Sequence, residues 1–501
     1  MTRQSQKQIP PVRVRFAPSP TGHTHLGSGR TALYNYLLAR QTGGQFILRL
    51  EDTDQKRYVP GSENELMDSL RWLGLEWDEG PDIGGPDAPY RQSERRELYQ
   101  GIALQMVEGG KAFYCFCTTE RLAQVREEQK KRSETPRYDG TCRLLDPGEA
   151  AERVSRGEPH VVRFKMPYDG SITCIDYLRG AITVENRTLD DFILIKTDGL
   201  ALYHLAAMVD DHVMKITHVI RGSEWLPTFP LHSHIYRALN WQEPTFVHLS
   251  VFLKPSGKGK MSKRDTSNLM KDGHSIFIQD LKNLGYLPEG VVNWIALMGW
   301  SYDDRTEFFT LPDLIEKFSL DQLNPSPAAI NFSKLDHFNG LHIRSLPTAD
   351  LAERVKPFLA NTGRMVNDHK LIEITPIIQQ RLTTLDDAVD FAGFFFEEDI
   401  NPSFEVLIGK NMSTAESAIA LRRSYEILAA LPEINLATAE APLRALAEEL
   451  GLQAGQLFGI LRIAVTGQAV SPPLLESMAI IGKDKVLERI HLSAVKLERG
   501  L

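Results

Sequence analysis

Alternating apolar and polar positions at the start of the chain predict a strand, a helix and a second strand. The first strand covers Val12 to Phe16 and ends at a cluster of turn residues, Pro18-Ser-Pro-Thr-Gly22. Leucines at helical spacing predict a helix from Thr31 to Arg40, which Gly43 and Gly44 separate from a second strand over Phe46 to Leu50. This order is typical of a parallel α/β sheet. We expect the first loop and the helix N-terminus to form an anion site, because backbone N–H groups are unpaired there.

The pattern of apolar and polar residues changes twice further along the chain. Residues from about 100 to 202 form a predicted insertion with strand-like runs such as Val161 to Lys165, and the α/β pattern resumes near Tyr203. Beyond about residue 344 the apolar residues recur at helical spacing. The clearest run ends at Gly451, where a helix end is expected, and consists of Leu443, Leu446, Ala447 and Leu450.

Composition narrows the class of protein. A chain of 501 residues is too long for one core, so three or four domains are expected. No apolar run reaches the roughly 18–20 residues of a membrane span, and Met1 to Gln8 lacks the apolar stretch of a secretion signal. Four cysteines are too few for a disulfide scaffold, so we expect a reducing cytoplasm. A net charge of −8 does not exclude a nucleic-acid partner, because phosphate contact needs only a local basic face.

Two segments that lie far apart carry the candidate chemistry. The first is Arg15-Phe-Ala-Pro-Ser-Pro-Thr-Gly-His-Thr-His25-Leu-Gly-Ser28, and the second is Lys260-Met-Ser-Lys-Arg264. They resemble the HIGH and KMSKS signatures of class I aminoacyl-tRNA synthetases. Either segment alone would indicate little, but both in this order, in a chain of this length, leave few other interpretations.

Further motifs narrow the resemblance to the bacterial-type glutamyl-tRNA synthetase family, and they extend over nearly the whole chain. They are specific to the glutamate and glutamine branch of class I, in which the second histidine of HIGH is commonly a small residue, here Ser28. Besides the two signatures, the stretches that carry the resemblance are Leu50-Glu-Asp-Thr-Asp54, Trp72-Leu-Gly-Leu75, Asp78-Glu-Gly80, Tyr90-Arg-Gln-Ser-Glu-Arg95, Tyr203-His-Leu205, Val209-Asp-Asp-His212, Val219-Ile-Arg221, Glu224-Trp225, Leu461-Arg-Ile-Ala-Val-Thr-Gly467 and Ser471-Pro-Pro473.

The resemblance implies an α/β fold with a Rossmann-type parallel-sheet catalytic domain, an inserted acceptor-end-binding α+β domain and an all-α C-terminal anticodon-binding region. We expect the catalytic domain to comprise residues 1–100 and 203–255. The insertion is expected at 101–202, with a possible zinc subdomain at 112–145. Residues 256–343 are expected to hold the KMSKR loop and a domain that contacts the tRNA stem, and residues 344–501 the anticodon-binding domain.

The implied reaction has two steps, ATP-dependent formation of glutamyl-adenylate with Mg²⁺ and transfer of glutamate to the terminal adenosine of tRNA-Glu. Activation is attack by a carboxylate on the α-phosphate of ATP, so hydrogen-bond donors are needed where charge develops on the phosphoryl oxygens. We expect His25 to donate to these oxygens and Lys263 to stabilise the leaving pyrophosphate. The implied ATP-binding residues are His25, Gly27, Ser28, Lys260, Ser262, Lys263 and Arg264.

Glutamate has two carboxylates and one ammonium, and each of them needs a partner of opposite charge. Arginine suits a carboxylate because its planar guanidinium donates two parallel hydrogen bonds. By resemblance, the glutamate-binding residues are Arg15 and Arg221 for carboxylate, Glu51 for the α-ammonium, Tyr203 for its hydroxyl, and Ser19. The sequence departs from the family pattern at Ala207, where many members have an asparagine.

Three cysteines of the insertion, Cys115, Cys117 and Cys142, suggest a metal site by resemblance. Relatives that bind zinc here use a Cys-x-Cys pair, a distant cysteine and a fourth ligand. A histidine two residues past the third cysteine would complete a Cys₃His set, but Leu144 stands there. Tyr138 matches a tyrosine that ligates zinc in some relatives. One interpretation is therefore a structural Zn²⁺ held by Tyr138 and the three cysteines, and the other is three reduced cysteines in a small β-subdomain.

The C-terminal half is expected to recognise the anticodon. The anticodons for glutamate and glutamine differ only at the third position, C against U. In discriminating relatives an arginine before a Thr-Leu pair reads this base, and Gln379-Gln-Arg381-Leu-Thr-Thr-Leu385 supplies Arg381, in a predicted helix. The partners implied by the resemblance are tRNA-Glu and L-glutamate, and we expect a monomer that does not bind a membrane.

Four alternatives stay open at this point. A form that also charges tRNA-Gln with glutamate would share these motifs. A glutaminyl-tRNA synthetase would carry β-barrels where this C-terminus is predicted to be helical, and a truncated paralogue that glutamylates a modified tRNA base would end near residue 300. A non-catalytic tRNA-binding relative would be expected to lose His25 or Lys263, and both are present.

Overall fold

A computed structural model describes residues 11–261 and 269–500. The predictions for Met1 to Gln8, Ser262, Lys263 and Arg264 concern positions outside the described residues. The chain divides into two compact units. The first unit extends up to Asp280 and includes Val292–Phe332, and the second comprises Leu281–Val291 and the chain from Ser333 onward.

Strands and helices are numbered separately along the described residues. The strands are β1 (Arg13–Phe16), β2 (Gln45–Leu48), β3 (Ala112–Cys115), β4 (Val161–Phe164), β5 (Ser171–Asp176), β6 (Gly180–Glu185), β7 (Ile193–Ile195), β8 (His218–Gly222), β9 (Thr245–Leu249), β10 (Phe252–Leu253) and β11 (Ala328–Ala329). The helices are α1 (Leu26–Thr42), α2 (Ser62–Trp72), α3 (Arg96–Glu108), α4 (Thr119–Lys131), α5 (Pro147–Ser155), α6 (Tyr203–Val213), α7 (Phe229–Ala238), α8 (Ile278–Asn283), α9 (Pro288–Leu297), α10 (Leu311–Lys317), α11 (Phe332–Ser345), α12 (Thr348–Asn361), α13 (Asp368–Gln379), α14 (Ala388–Ala392), α15 (Phe404–Leu407), α16 (Thr414–Ala430), α17 (Leu436–Glu449), α18 (Ala454–Thr466), α19 (Leu474–Ile481) and α20 (Lys483–Arg499).

The first unit is built on a mixed sheet with the strand order β2-β1-β8-β9-β5-β6. The first five strands in this order are parallel, and β6 is antiparallel to β5. The predicted strand–helix–strand start is confirmed, with β1 parallel to β2 and α1 between them. Phe46, Ile47 and Leu48 are all fully buried, as expected for a parallel strand covered on both faces. Gly43 ends α1 with a φ of 64°, a left-handed conformation that glycine adopts without strain.

The predicted insertion, residues 101–202, contributes to two sheets. Its strands β3, β4 and β7 form an antiparallel sheet, and β4 lies where a strand was predicted. Its strands β5 and β6 instead extend the main sheet, because Asp176 at the end of β5 pairs with Phe246 of β9. The sequence did not predict that part of the insertion would complete the main sheet.

The second unit is helical, as predicted, and no strand is present among its described residues. Helix α17 contains the first three residues of the predicted run, Leu443, Leu446 and Ala447, which are buried in an apolar core shared with α16, α18 and α20. Gly451 follows this helix with a φ of 68°. None of the helices that the structure describes combines the length and the apolar character of a membrane span.

Candidate active site

A cavity of about 1120 Å³ opens at the carboxyl ends of the parallel strands. The strand order reverses at β1, since β2 lies on one side of it and β8 on the other. Ligands of open α/β sheets bind at such a switch point. Of the predicted site residues, the structure places nine on the cavity wall: Arg15, Ser19, His25, Gly27, Ser28, Glu51, Tyr203, Arg221 and Lys260.

His25 caps helix α1, and this contact sets its tautomer. Its Nδ1 accepts hydrogen bonds from the backbone N–H groups of Gly27 at 3.0 Å and Ser28 at 3.3 Å. A neutral imidazole that accepts at Nδ1 carries its proton on Nε2. The prediction of unpaired N–H groups at this helix end is therefore wrong for Gly27 and Ser28, because the imidazole already pairs them. The proton of the imidazole is therefore on Nε2, which lies 3.5 Å from Oγ of Ser28.

Gly27 keeps the imidazole of His25 in this position. A Cβ at position 27 would lie 2.9 Å from Cε1 of His25, too close for any side chain unless the ring moved. Across the cavity, Leu253 and Lys260 form an antiparallel bridge, and the backbone N–H of Met261 donates to the carbonyl of Phe252 at 2.9 Å. This hairpin brings the first residues of the KMSKR signature to the cavity.

Beside the cavity lies a buried cluster of three arginines and three carboxylates. Arg15 donates from Nε and Nη2 to the two carboxylate oxygens of Asp211, at 2.9 and 3.3 Å. Arg49 donates to Asp211 at 2.8 Å and to Glu51 at 3.1 Å. The cluster is completed by Asp210, which pairs with Arg95 and Arg49. Arg15 is therefore a buried residue that is paired with Asp211 and also lines the cavity.

Glu51 differs from an ordinary carboxylate in its acidity. Burial raises the pKa of Glu51 to about 7, although the guanidiniums of Arg49 and Arg15 act in the opposite direction. A nearby cation favours the ionised form of such a group. Glu51 can therefore bind an ammonium ion, and that binding would favour its ionisation.

Arg221 on β8 is a buried cation with no carboxylate partner among the described residues. Its Nε donates to Nε2 of His248 at 3.0 Å, its Nη1 to the hydroxyl of Tyr203 at 3.2 Å, and its Nη2 to Nδ1 of His232 at 2.9 Å. These three partners are acceptors without a carboxylate charge. A buried charge without a counter-ion is costly, so the site favours an anionic ligand at Arg221.

The remaining predicted glutamate-site positions differ in their contacts. Burial raises the pKa of Tyr203 to about 12, so its hydroxyl stays protonated at neutral pH, and its ring stacks on Trp225 with centroids 3.9 Å apart. Ser19 lines the cavity. Ala207 is fully buried in the apolar core of the first unit and does not line the cavity. The alanine that stands where many family members have an asparagine is therefore a core residue and not a residue of the cavity wall.

The three cysteines of the insertion converge, and their Sγ atoms all lie within 4.8 Å of one another. The hydroxyl of Tyr138 lies 3.5 Å from Sγ of Cys115 and 3.8 Å from Sγ of Cys117. Sγ of Cys117 lies 3.6 Å from Sγ of Cys142. A tetrahedral zinc with Zn–S bonds of about 2.3 Å separates its ligand atoms by roughly 3.5–3.8 Å. The four side chains therefore fit the donor set and the spacing of a zinc site.

Arg381 is exposed and lies beyond the end of helix α13, which the cap residue Gln380 terminates. Its prediction as a helical residue is therefore wrong, although its backbone N–H still donates to the carbonyl of Ile378 at 2.8 Å. Ile378 is fully buried and so lies on the core side of this helix. The charge of Arg381 contributes to a lowered pKa of Arg462, after burial as the main cause, so the two guanidiniums lie near each other.

Several residues that shape the site were given no role from the sequence, namely Arg49, Asp210, Asp211, His232 and His248, although the two aspartates lie in a stretch that carries the family resemblance. A signal existed for the two aspartates, because adjacent acids in an otherwise apolar helix must find buried partners. No comparable signal marks the histidines, which meet Arg221 only in the folded chain.

The comparisons with known proteins agree with this geometry. Residues 11–337 match the family described as tRNA synthetases class I (E and Q), catalytic domain. The chain belongs to this family. Residues 350–493 match a second family, described as an anticodon binding domain, so this class I synthetase has both parts that the resemblance implied.

Its relatives match it over almost their full length. A glutamate–tRNA ligase of Dehalococcoides mccartyi is 44% identical over 97% of this chain and 98% of its own, and one from Roseiflexus sp. is 45% identical over 97% of both chains. A crystal structure of a glutamate tRNA ligase from Elizabethkingia meningosepticum in complex with its amino acid superposes with a TM-score of 0.87. It is 38% identical and covers 97% of this chain and 99% of its own.

Proposed function

We propose that this class I synthetase ligates L-glutamate to tRNA-Glu, first forming glutamyl-adenylate from ATP and then transferring glutamate to the terminal adenosine of the tRNA. The observation that carries the proposal is the buried, uncompensated charge of Arg221 in the cavity at the switch point of the sheet. Glutamate as the amino acid is supported by the relatives, which are glutamate–tRNA ligases at 44% and 45% identity.

The chain's own residues have distinct roles in this proposal. Arg221 binds a substrate carboxylate, with Arg15 beside it, Glu51 binds the α-ammonium, and Ser19 lies at the same wall. The Nε2–H donor of His25 stabilises charge on the phosphoryl oxygens of ATP, and the ATP is held with Mg²⁺ at the end of α1. Lys263, predicted from the sequence, stabilises the leaving pyrophosphate.

The decisive experiment is aminoacylation of purified tRNA-Glu and tRNA-Gln with labelled glutamate and, in parallel, with labelled glutamine. We expect glutamate to be attached to tRNA-Glu in an ATP-dependent reaction and glutamine to be attached to either tRNA only with a far lower kcat/KM. Attachment of glutamine instead of glutamate would refute the proposed substrate. Attachment of glutamate to both tRNAs would identify the non-discriminating form.

The acidity of Glu51 leads to an expected pH dependence. Because burial raises the pKa of Glu51 to about 7, its carboxylate is mostly ionised at pH 8 and mostly protonated at pH 6 in the unliganded enzyme. Ammonium binding requires the ionised form, so the KM for glutamate should rise roughly tenfold between pH 8 and pH 6. Glutarate, which has both carboxylates but no ammonium, is the control. Its inhibition constant should not rise between pH 8 and pH 6. A KM for glutamate that is constant over this range would contradict the role of Glu51.

A structural zinc ion is the second part of the proposal. Cys115, Cys117, Cys142 and Tyr138 would hold it, and the ion would fix the fold of this small subdomain. Polar hydrogens already point at the sulfurs, since the backbone N–H of Phe116 donates to Sγ of Cys142 at 3.4 Å. Such donors stabilise metal-bound thiolates.

Metal analysis tests the zinc site. Protein purified without chelators should contain about one zinc per chain, and Cys117→Ser should lose it because three remaining ligands bind zinc much more weakly. Cys174→Ser is the control, since Cys174 is likewise an unbridged cysteine, more buried than Cys117, but lies in β5 of the main sheet. Absence of zinc from the wild-type protein, or equal zinc in both variants, would leave only the reduced-cysteine interpretation.

The remaining parts of the proposal concern the tRNA. Residues 101–202 would bind its acceptor end, residues 256–343 its stem and residues 344–501 its anticodon, with Arg381 reading the third anticodon base. The exposure of Arg381 supports this role, because its guanidinium is accessible to a base. We also propose that the enzyme is a cytoplasmic monomer.

A further inference from the structure

The buried histidines around Arg221 have no role in the chemistry described so far. His232 on helix α7 and His248 on strand β9 are both fully buried, and each accepts one hydrogen bond from the Arg221 guanidinium. Behind them lie two further groups. Nε2 of His232 is 3.0 Å from Nδ1 of His204, and Nδ1 of His248 is 2.8 Å from Oδ2 of Asp176.

These outer contacts fix the tautomers of the two histidines. The Asp176 carboxylate can only accept, so Nδ1 of His248 carries the proton and Nε2 is left to accept from Arg221. Nδ1 of His232 accepts from Arg221, so its Nε2–H donates to His204. Asp176 lies at the end of β5, which explains why this strand of the insertion matters to the site.

Both histidines are neutral where they meet Arg221. Burial, with a smaller contribution from the charge of Arg221, lowers the pKa of His232 well below its usual value. Burial also lowers the pKa of His248, against the opposing effect of Asp176. Burial, together with the charge of Arg221, likewise lowers the pKa of His204 to about 4. Arg221 is thus held by acceptors that bring no negative charge.

We infer that His232 and His248 are specificity-determining residues, which orient the Arg221 guanidinium through uncharged acceptors and so reserve its positive charge for a carboxylate of the ligand. The inference rests on the proposed function, because it assumes that Arg221 faces the substrate. A guanidinium has five N–H groups. One on each terminal nitrogen of Arg221 has no partner among the described residues and is available to a ligand carboxylate.

The alternative design would be an aspartate or glutamate in place of a histidine. A carboxylate could orient Arg221 equally well, but it would also neutralise the buried charge before the substrate arrived. The site would then gain little from a second carboxylate, and glutamine, with its neutral amide, would bind about as well as glutamate. Specificity is a difference between two affinities, so the choice of an uncharged acceptor acts directly on the preference for glutamate.

Substitutions that differ only in charge test this inference. The side-chain oxygen of asparagine lies close to the position of Nδ1 of histidine, so His232→Asn keeps a neutral acceptor and His232→Asp places a carboxylate there. Asparagine and aspartate are both smaller than histidine by the same amount, so both variants leave an empty space of the same size. Their comparison therefore isolates the effect of the negative charge at position 232. The quantity to measure is the ratio of kcat/KM for glutamate to kcat/KM for glutamine with tRNA-Glu.

We expect His232→Asp to lower this ratio at least tenfold relative to His232→Asn, through a raised KM for glutamate. His248→Glu and His248→Gln form a second pair, in case the buried aspartate at position 232 prevents folding. His234→Gln is the matched control and should keep the wild-type ratio. His234 is another buried histidine of α7, but it contacts Asn186, not Arg221.

The outcomes separate this inference from the proposed function. A wild-type enzyme that attaches no glutamate to tRNA would refute the proposed function itself. If the wild type attaches glutamate but the charged and neutral members of the pair give equal ratios, the inference is overturned. A structural role alone would lower activity and melting temperature in both members without separating their ratios.

Discussion

Arg221→Gln is expected to lower kcat/KM for glutamate roughly 10²–10⁴-fold in aminoacylation. The substitution removes the buried positive charge that the three neutral partners leave uncompensated. Two charge-assisted hydrogen bonds to a carboxylate are lost, each worth about 1.5–3 kcal/mol. Glutamine can still donate and accept hydrogen bonds, so Tyr203 and the two histidines keep a polar neighbour and the fold should survive.

Two further variants check that the effect belongs to this guanidinium. Arg221→Lys should recover only part of the activity, because an ammonium lacks the planar fork that contacts several acceptors at once. Arg237→Gln removes a half-exposed arginine from helix α7 and should leave kcat/KM unchanged. Wild-type kcat/KM in Arg221→Gln, with an unaltered melting temperature, would show that the carboxylate binds elsewhere.

The start of helix α1 illustrates how local sequence misleads. The sequence predicted this helix from Thr31, whereas it begins at Leu26. Its first turn contains Gly27 and Gly29, and glycine lowers helix propensity by about 1 kcal/mol at each position. Its cap is His25, which is not among the preferred capping residues. The site explains Gly27 and His25, since they place an imidazole at the end of the helix with no side chain at position 27 to displace it.

Residues of the site were predictable to different degrees. The residues in recognisable motifs, such as His25, Glu51 and Arg221, were named from the sequence and do line one cavity. Their partners were not predictable, because the partners come from distant elements. Arg49 stands in a short apolar strand run, and nothing near it in the sequence shows that Asp211, on helix α6, will pair with it. Such contacts are set by the order of strands in the sheet.

The ionic cluster beside the cavity leads to the largest expected effect on stability. The Asp211 carboxylate accepts hydrogen bonds from both Arg15 and Arg49 and is completely buried. Although burial acts in the opposite direction, the two guanidiniums lower the pKa of Asp211. Its stabilising contribution is therefore present above the pKa of an unfolded aspartate, about 3.9, and is complete at pH 7.

Asp211→Asn should lower the free energy of unfolding of the first unit by about 3–5 kcal/mol at pH 7, because two buried guanidiniums lose a shared counter-ion. Glu185→Gln is the matched control, since it breaks the pair with Arg187, whose side chains are 58% and 76% exposed, and it should cost less than about 1 kcal/mol. Urea denaturation at pH 7 measures both changes. If Asp211→Asn costs no more than Glu185→Gln, the cluster does not stabilise the fold, and Arg15 must have another anionic partner. The difference between the variants should narrow as the pH falls below about 4, because the unfolded aspartate then binds a proton that the folded Asp211 carboxylate does not, and it should vanish once the pH falls through the lowered pKa of the folded Asp211.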